Sequence, residues 1–171
     1  AIARSGDSHI SEIGPFGDGY WSNYFDNSGD YITIPDDDSL RLGTEAFTIE
    51  AWIYPTWSSP DANEPIVASG TTGAGTIYLN IVSTSVVRFN HGSASIVSTG
   101  TISPNQWTHI AVVREGTGTN QTKIYINGVN DGTGTASSDL NSTSGLRIGR
   151  NRGGTARYWQ GYLSNVRIVK G

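Results

Sequence analysis

Hydrophobic and polar positions alternate with a period of two along much of the chain. In Phe47-Thr48-Ile49-Glu50-Ala51-Trp52-Ile53-Tyr54-Pro55, the apolar Phe47, Ile49, Ala51 and Ile53 take every second place. A strand turns successive side chains to opposite faces, so this spacing predicts a strand with one apolar face. Pro55, with no N–H for a ladder, marks its end. Trp107–Arg114 repeats the pattern and predicts a second central strand. Shorter β-branched and aromatic runs predict strands at 21–25, 31–34, 66–68, 76–82, 86–90, 95–98, 123–126, 146–149 and 161–169. Asp26–Asp30 reads as the tight turn of a hairpin joining the first two of these runs. Asn127-Gly128 reads as another hairpin turn, since both positions tolerate φ > 0. Residues 130–145 read as a long polar loop. No window sustains a 3.6-residue apolar period. About a dozen short strands with turn signals between them close as two packed antiparallel sheets, an all-β sandwich.

Composition narrows this further. A chain of 171 residues buries roughly 70% of its unfolded surface, enough for one sizeable core. Residues 1–19, polar and glycine-rich with Ile10, Ile13 and Phe16 as the main anchors, are predicted as an extended arm or linker before a domain over 20–171. No apolar run nears the roughly 18–20 residues of a membrane-spanning helix. With no Cys there is neither a disulfide nor a thiolate metal site, and the lack of Met reads as a piece of something longer.

The net charge of −4 is unevenly spread. Residues 1–65 hold twelve acids and two bases, whereas residues 140–171 hold six bases and no acid. Either the first and last strands are neighbours whose charges screen each other, or copies meet head to tail, acidic end to basic end. Nucleic acid is a poor partner for so acidic a chain.

The residues then support a resemblance. Tyr24-Phe25-Asp26, Gly29-Asp30-Tyr31-Ile32-Thr33-Ile34-Pro35, the Phe47 strand, Gln106–Arg114, Ile124-Tyr125-Ile126-Asn127-Gly128, Leu146-Arg147-Ile148-Gly149 and Gly161–Ile168 resemble, in order and spacing, the laminin-G-like branch of the concanavalin A-like lectin/glucanase superfamily. The closing Leu163–Gly171 run is most similar to modules in structural and tail proteins of tailed phages. The resemblance implies a jelly-roll sandwich that binds sugars or protein partners at loop edges, often with a structural calcium. It also implies a place on a virion surface or outside the cell, as a homo-oligomer or part of a larger polypeptide.

Candidate chemistry follows from residue types. Glycoside hydrolysis needs two carboxylates at a fixed spacing. Glu50 stands alone on its strand, Glu115 begins a loop, and Asp36, Asp37 and Asp38 point different ways, so catalysis is not expected. Sugars offer C–H faces edged by hydroxyls and are gripped by aromatics beside planar polar groups. Trp57 in a Ser/Asp/Asn loop, His91 at a turn, and Arg150, Arg152, Tyr158 and Trp159 are the expected glycan contacts. Equally, these aromatics could cap the core. For calcium, which wants six to eight oxygens, Asp26 and Asp30 around one turn, with Asn165 if first and last strands pair, are the candidate ligands. Asp26 and Asp30 could instead satisfy turn amides. Asn120-Gln121-Thr122 and Asn141-Ser142-Thr143 fit the glycosylation sequon. The expected function is a non-catalytic module contacting host glycans or neighbouring subunits. The alternative is a self-assembling subunit of an extracellular filament, with residues 1–19 bridging copies.

Overall fold

The computed structural model describes residues 1–70, 75–92, 94–153 and 155–171. The strands are β1 (Ala3–Ser5), β2 (His9–Ser11), β3 (Ser22–Asp26), β4 (Tyr31–Ile34), β5 (Phe47–Pro55), β6 (Asn63–Ser69), β7 (Ile77–Val82), β8 (Val86–His91), β9 (Ala94–Thr101), β10 (Thr108–Arg114), β11 (Thr122–Ile126), β12 (Val129–Gly134), β13 (Leu146–Ile148) and β14 (Gln160–Lys170). They form two seven-stranded antiparallel sheets. The first runs β1-β4-β13-β6-β7-β8-β9 and the second β12-β11-β10-β5-β14-β3-β2. The turn preceding Arg41 is a single 3-10 turn over Asp38–Leu40.

The period-two pattern of β5 is realised residue by residue: Phe47, Ile49, Ala51 and Ile53 are buried, while Thr48, Glu50, Trp52 and Tyr54 face outward and are partly exposed. Phe47 and Phe89 meet across the two sheets with ring centroids 5.9 Å apart. Ile66, Leu79, Ile81, Ile110, Ile124 and Leu163 complete one continuous dry layer. Arg114 is buried among these strands with 0% exposure. It donates to the carbonyls of Glu45, Gly43, Leu42 and Ser138 and lies 4.7 Å from the Phe47 ring centroid, so loop backbone supplies the acceptors its charge needs.

Three expectations are corrected. Strands β3 and β4 are not a hairpin: Asp26–Asp30 carries the chain from the second sheet into the first, as a sandwich crossover does. Residues 130–145 are not all loop, because β12 pairs with β11 through the predicted Asn127-Gly128 turn. Asn127 at φ 50° and Gly128 at φ 81° are both left-handed, as that two-residue turn requires. Residues 1–19 do not stand apart from the sheets. Strand β1 pairs with β4 at the edge of the first sheet, and β2 pairs with β3 at the edge of the second.

Candidate functional site

The outer face of the second sheet carries a row of aromatic rings. Antiparallel register places Tyr162 opposite both Tyr54 and Tyr24, and Tyr24 opposite His9. Trp107, just before β10, continues the row beside Tyr54. Neighbouring centroids are 5.5 Å apart for Trp107–Tyr54, 5.7 Å for Tyr54–Tyr162, 5.0 Å for Tyr162–Tyr24 and 5.2 Å for Tyr24–His9. Cross-strand partners on one face sit close enough to touch, and tilted or edge-on rings at these distances attract. Strands are about 4.8 Å apart, so five of them spread the row over roughly 20 Å. Burial and the neighbouring Tyr162 push the Tyr24 phenol above its ordinary pKa.

A second group of rings borders the row. Trp52 packs on His109 at 5.2 Å, and Phe16, from the segment before β3, sits edge-on over Trp52 at 5.2 Å and over Tyr20 at 5.1 Å. Glu50 pairs with Arg167 at 2.5 Å and approaches His109 Nε2 at 3.4 Å. Two shallow clefts meet at Asn165, which takes φ 49° at a bulge in β14. One, of about 470 Å³, is lined by Ile10, Trp21, Asn23 and Asn165. The other, of about 440 Å³, is lined by Phe16, Trp52, His109 and Arg167.

The outer face of the first sheet differs. Arg147, Ala68, Tyr78 and Asn90 lie in one cross-strand row, and residues 151–153 reach over it. Between loop and sheet is a cavity of about 340 Å³, lined by Ala68, Tyr78, Arg88, Asn90, Asn151 and Arg152. The loop is held by its own polar groups: Asn151 donates to the carbonyls of Gly153 and Thr155 and accepts from the Arg157 amide. Arg88 donates to the Asn63 and Asn80 side chains. Arg150 stacks between Tyr31, at 4.8 Å, and Tyr158, at 5.3 Å. Burial pulls the Arg152 guanidinium below its usual range, with the Arg147 charge adding to the effect. Burial likewise pushes Tyr78 well up, and lifts the buried Glu64 carboxyl to about 7.

The sequence-derived contacts separate. Arg150, Arg152 and Tyr158 do gather on this first face. Trp57 and Trp159 do not reach a surface: they are 3% and 0% exposed and pack edge-on at 5.0 Å in the interior. Their loops fold inward because a sandwich end needs large apolar plugs. His91 is 2% exposed and stacked on Phe89, and burial pulls its pKa down. The aromatic row was missed because its members lie in five separate segments. Their only shared signal is that each takes an outward position of a strand or, for Trp107, the place just before one.

The metal candidates are also rearranged. Asp26 and Asp30 come together, and the third oxygen comes from Asp7, with all three carboxylates within 4.8 Å of one another. Asn165 is elsewhere: Asp26 is opposite Gln160, five residues back along β14. Asp30 is fully buried, and burial raises its pKa despite the Asp26 amide, which donates to it. Gly6, at φ 72°, presses so close that a Cβ there would lie 2.1 Å from Asp30 Oδ1. An all-carboxylate cluster around one buried acid is a donor set that suits a hard cation such as calcium.

The sequence profile of a laminin G family within the concanavalin A-like lectin/glucanases superfamily matches residues 26–171. The chain belongs to this superfamily. A search of curated proteins finds no match. Among solved structures the chain is similar to domain 4 of AbnA, an extracellular GH43 arabinanase from Geobacillus stearothermophilus, in complex with arabinotriose. That likeness has a TM-score of 0.72 and 19% identity over 100% of this chain and 82% of that one. Mouse laminin α1 domains LG4-5 give 0.65 and 13%, over 86% of this chain and 40% of that one. The binding domain of botulinum neurotoxin DC in complex with SialylT gives 0.66 and 16%, over 98% and 42%. The chain thus spans about two fifths of the laminin and neurotoxin chains. At such identities the likeness shows the shared sandwich.

Proposed function

We propose that this superfamily member is a non-catalytic glycan-binding module of a larger extracellular or virion-surface assembly, and that the glycan lies along the Trp107–Tyr54–Tyr162–Tyr24–His9 row. That continuous run of rings is the observation that carries the reading. Sugar C–H faces stack on such rings, and a binding surface of rigid aromatics loses little side-chain entropy when occupied. Arabinotriose bound to one structural neighbour and SialylT to another fit the same class of ligand. The absence of catalysis is supported by the state of the carboxylates: Glu50 is spent on Arg167, and Glu64 is buried away from the row. The virion setting rests on the likeness of the closing Leu163–Gly171 run to phage structural proteins. A filament subunit bridged by residues 1–19 has less support, since 3–5 and 9–11 already pair within the chain. Calcium, if held, would sit on Asp7, Asp26 and Asp30, where it would neutralise the buried Asp30 and tie the first residues to the crossover turn.

The test is a glycan array followed by calorimetry on the best neutral oligosaccharide. Tyr54→Ala and Tyr162→Ala should each weaken binding about tenfold or more while leaving the fold intact. Binding that survives both substitutions unchanged would rule out the row.

A further inference from the structure

The arginines of the first face are not used by the reading above. Arg88, Arg147, Arg150, Arg152 and Arg157 all belong to this face or to the loop over it. Among the described residues, none of the five has an Asp or Glu oxygen within 4.0 Å; the ion pairs involve Arg41, His109, Lys123 and Arg167 instead. The remaining six residues of the chain contain no acid. Glu64 is the one acid among the described residues whose charge reaches the group, through Arg157 and Tyr78; it is itself lifted to about 7 by burial and is largely neutral in weak acid, so it offsets at most one of the five charges. The Nε donors of Arg147, Arg150 and Arg152 are buried and have no hydrogen-bond partner. Buried donors left unmade are costly, and five cationic groups crowded around one largely neutral acid are costly again. Ordered water would satisfy the first need but not the second.

Arg114 shows how the same fold treats an arginine it needs only for itself. Four backbone carbonyls surround it. The arginines of this face are instead braced by rings and amides, with loop residue Arg150 between two tyrosines and Arg88 of β8 on two asparagines. They border the 340 Å³ cavity through Arg88 and Arg152. The cavity floor is Ala68, whose small side chain leaves room between Arg147 and Tyr78 in the same row. Planar guanidinium forks match the oxygens of a carboxylate or sulfate, and the asparagine and tyrosine groups beside them suit hydroxyls.

We propose that this cavity binds a single oxyanion, a carboxylate or sulfate ester, carried on an oligosaccharide, so that the ligand is an acidic glycan held by its charged group under residues 151–153. This deepens the glycan reading but is located on the opposite face, so the two stand or fall separately.

The experiment is calorimetry of the full chain at low salt with two pairs of probes. Trigalacturonate is compared with its methyl ester, and a sulfated heparin tetrasaccharide with its desulfated form. Binding by the charged member and not by its uncharged counterpart is expected in at least one pair, and the pair that responds identifies carboxylate or sulfate as the source. The affinity should fall between 20 and 200 mM salt as the Debye length shrinks from roughly 20 Å to about 7 Å and the ion contact is screened. Arg152→Gln should weaken it about tenfold or more, and Arg152→Lys, which keeps the charge but not the fork, should recover part. Tyr162→Ala should leave it unchanged. No binding of either charged probe, or equal binding by wild type and a folded Arg152→Gln chain, would overturn the proposal. If acidic probes bind while no glycan responds to Tyr54→Ala or Tyr162→Ala, the aromatic-row reading fails and this one holds.

Discussion

The two outer faces of the sandwich are built from the same kind of strand and end in opposite chemistry. On the second sheet the outward positions are rings in contact, and the charged residues among them, Glu50 and Arg167, neutralise each other. On the first sheet the outward positions are arginines and amides around a cavity, with positive charge left over. The inward positions of both sheets are mostly apolar and share one core. The difference teaches that the fold constrains one half of every strand and leaves the other half free for binding. It also shows that a flat aromatic face and a cupped cationic one can share one core.

The strongest challenge to this contrast lies between the faces. If the loop aromatics belong to the interior, Trp159→Ala should destabilise the protein by about 3–5 kcal/mol in denaturant unfolding. It should do so without selectively removing glycan affinity from the fraction that stays folded. Selective loss of binding at unchanged stability would move Trp159 back to a surface.

Next in size is the effect of Glu64. Its carboxyl ionises near 4.5 in the unfolded chain and at about 7 in the folded one. A raised folded value means that its contribution to stability is fully present below pH 4.5 and is lost as pH rises through 7. The whole swing is about 3 kcal/mol. Glu64→Gln should flatten that part of the stability–pH profile and stabilise the protein at neutral pH, while the Asp61 amide keeps an oxygen to donate to. A profile unchanged by the substitution would show that Glu64 is solvated.

The faces themselves are separated by Tyr162→Ala, which should cost about 1.4 kcal/mol or more of neutral-glycan affinity and nothing of acidic-probe affinity. Equal loss of both would mean one shared site rather than two.

The smallest effect is expected at the joint between the sheets. Calcium at ten times its dissociation constant should add about 1.4 kcal/mol of stability, seen as a rise in the unfolding midpoint. Asp7→Asn should abolish that rise and Asn165→Ala should not. A calcium response that follows Asn165 would overturn the assignment to Asp7, Asp26 and Asp30.

Much of this was legible beforehand, and the legible part has one physical basis. Burial acts locally through a period of two, so β5, β10 and the Asn127-Gly128 turn could be read from a few neighbouring residues. So could the two-sheet sandwich they imply. Loop residues carry no such period. Trp57 looked wet because Ser58, Ser59 and Asp61 surround it in sequence, yet it is dry because Trp159 surrounds it in space. The excess of bases after residue 140 was visible, but not that Arg147, Arg150, Arg152 and Arg157 would join Arg88 on one face.

What the sequence determined by itself is therefore which side of each strand faces the core, because the hydrophobic effect is decided by residue type and alternation. What only the tertiary structure decided is which outward residues become neighbours. Tyr162 meets Tyr54 and Tyr24, and Asp7 meets Asp30, through strand order and register. Those are set by how the whole core packs, and no short stretch of chain encodes them.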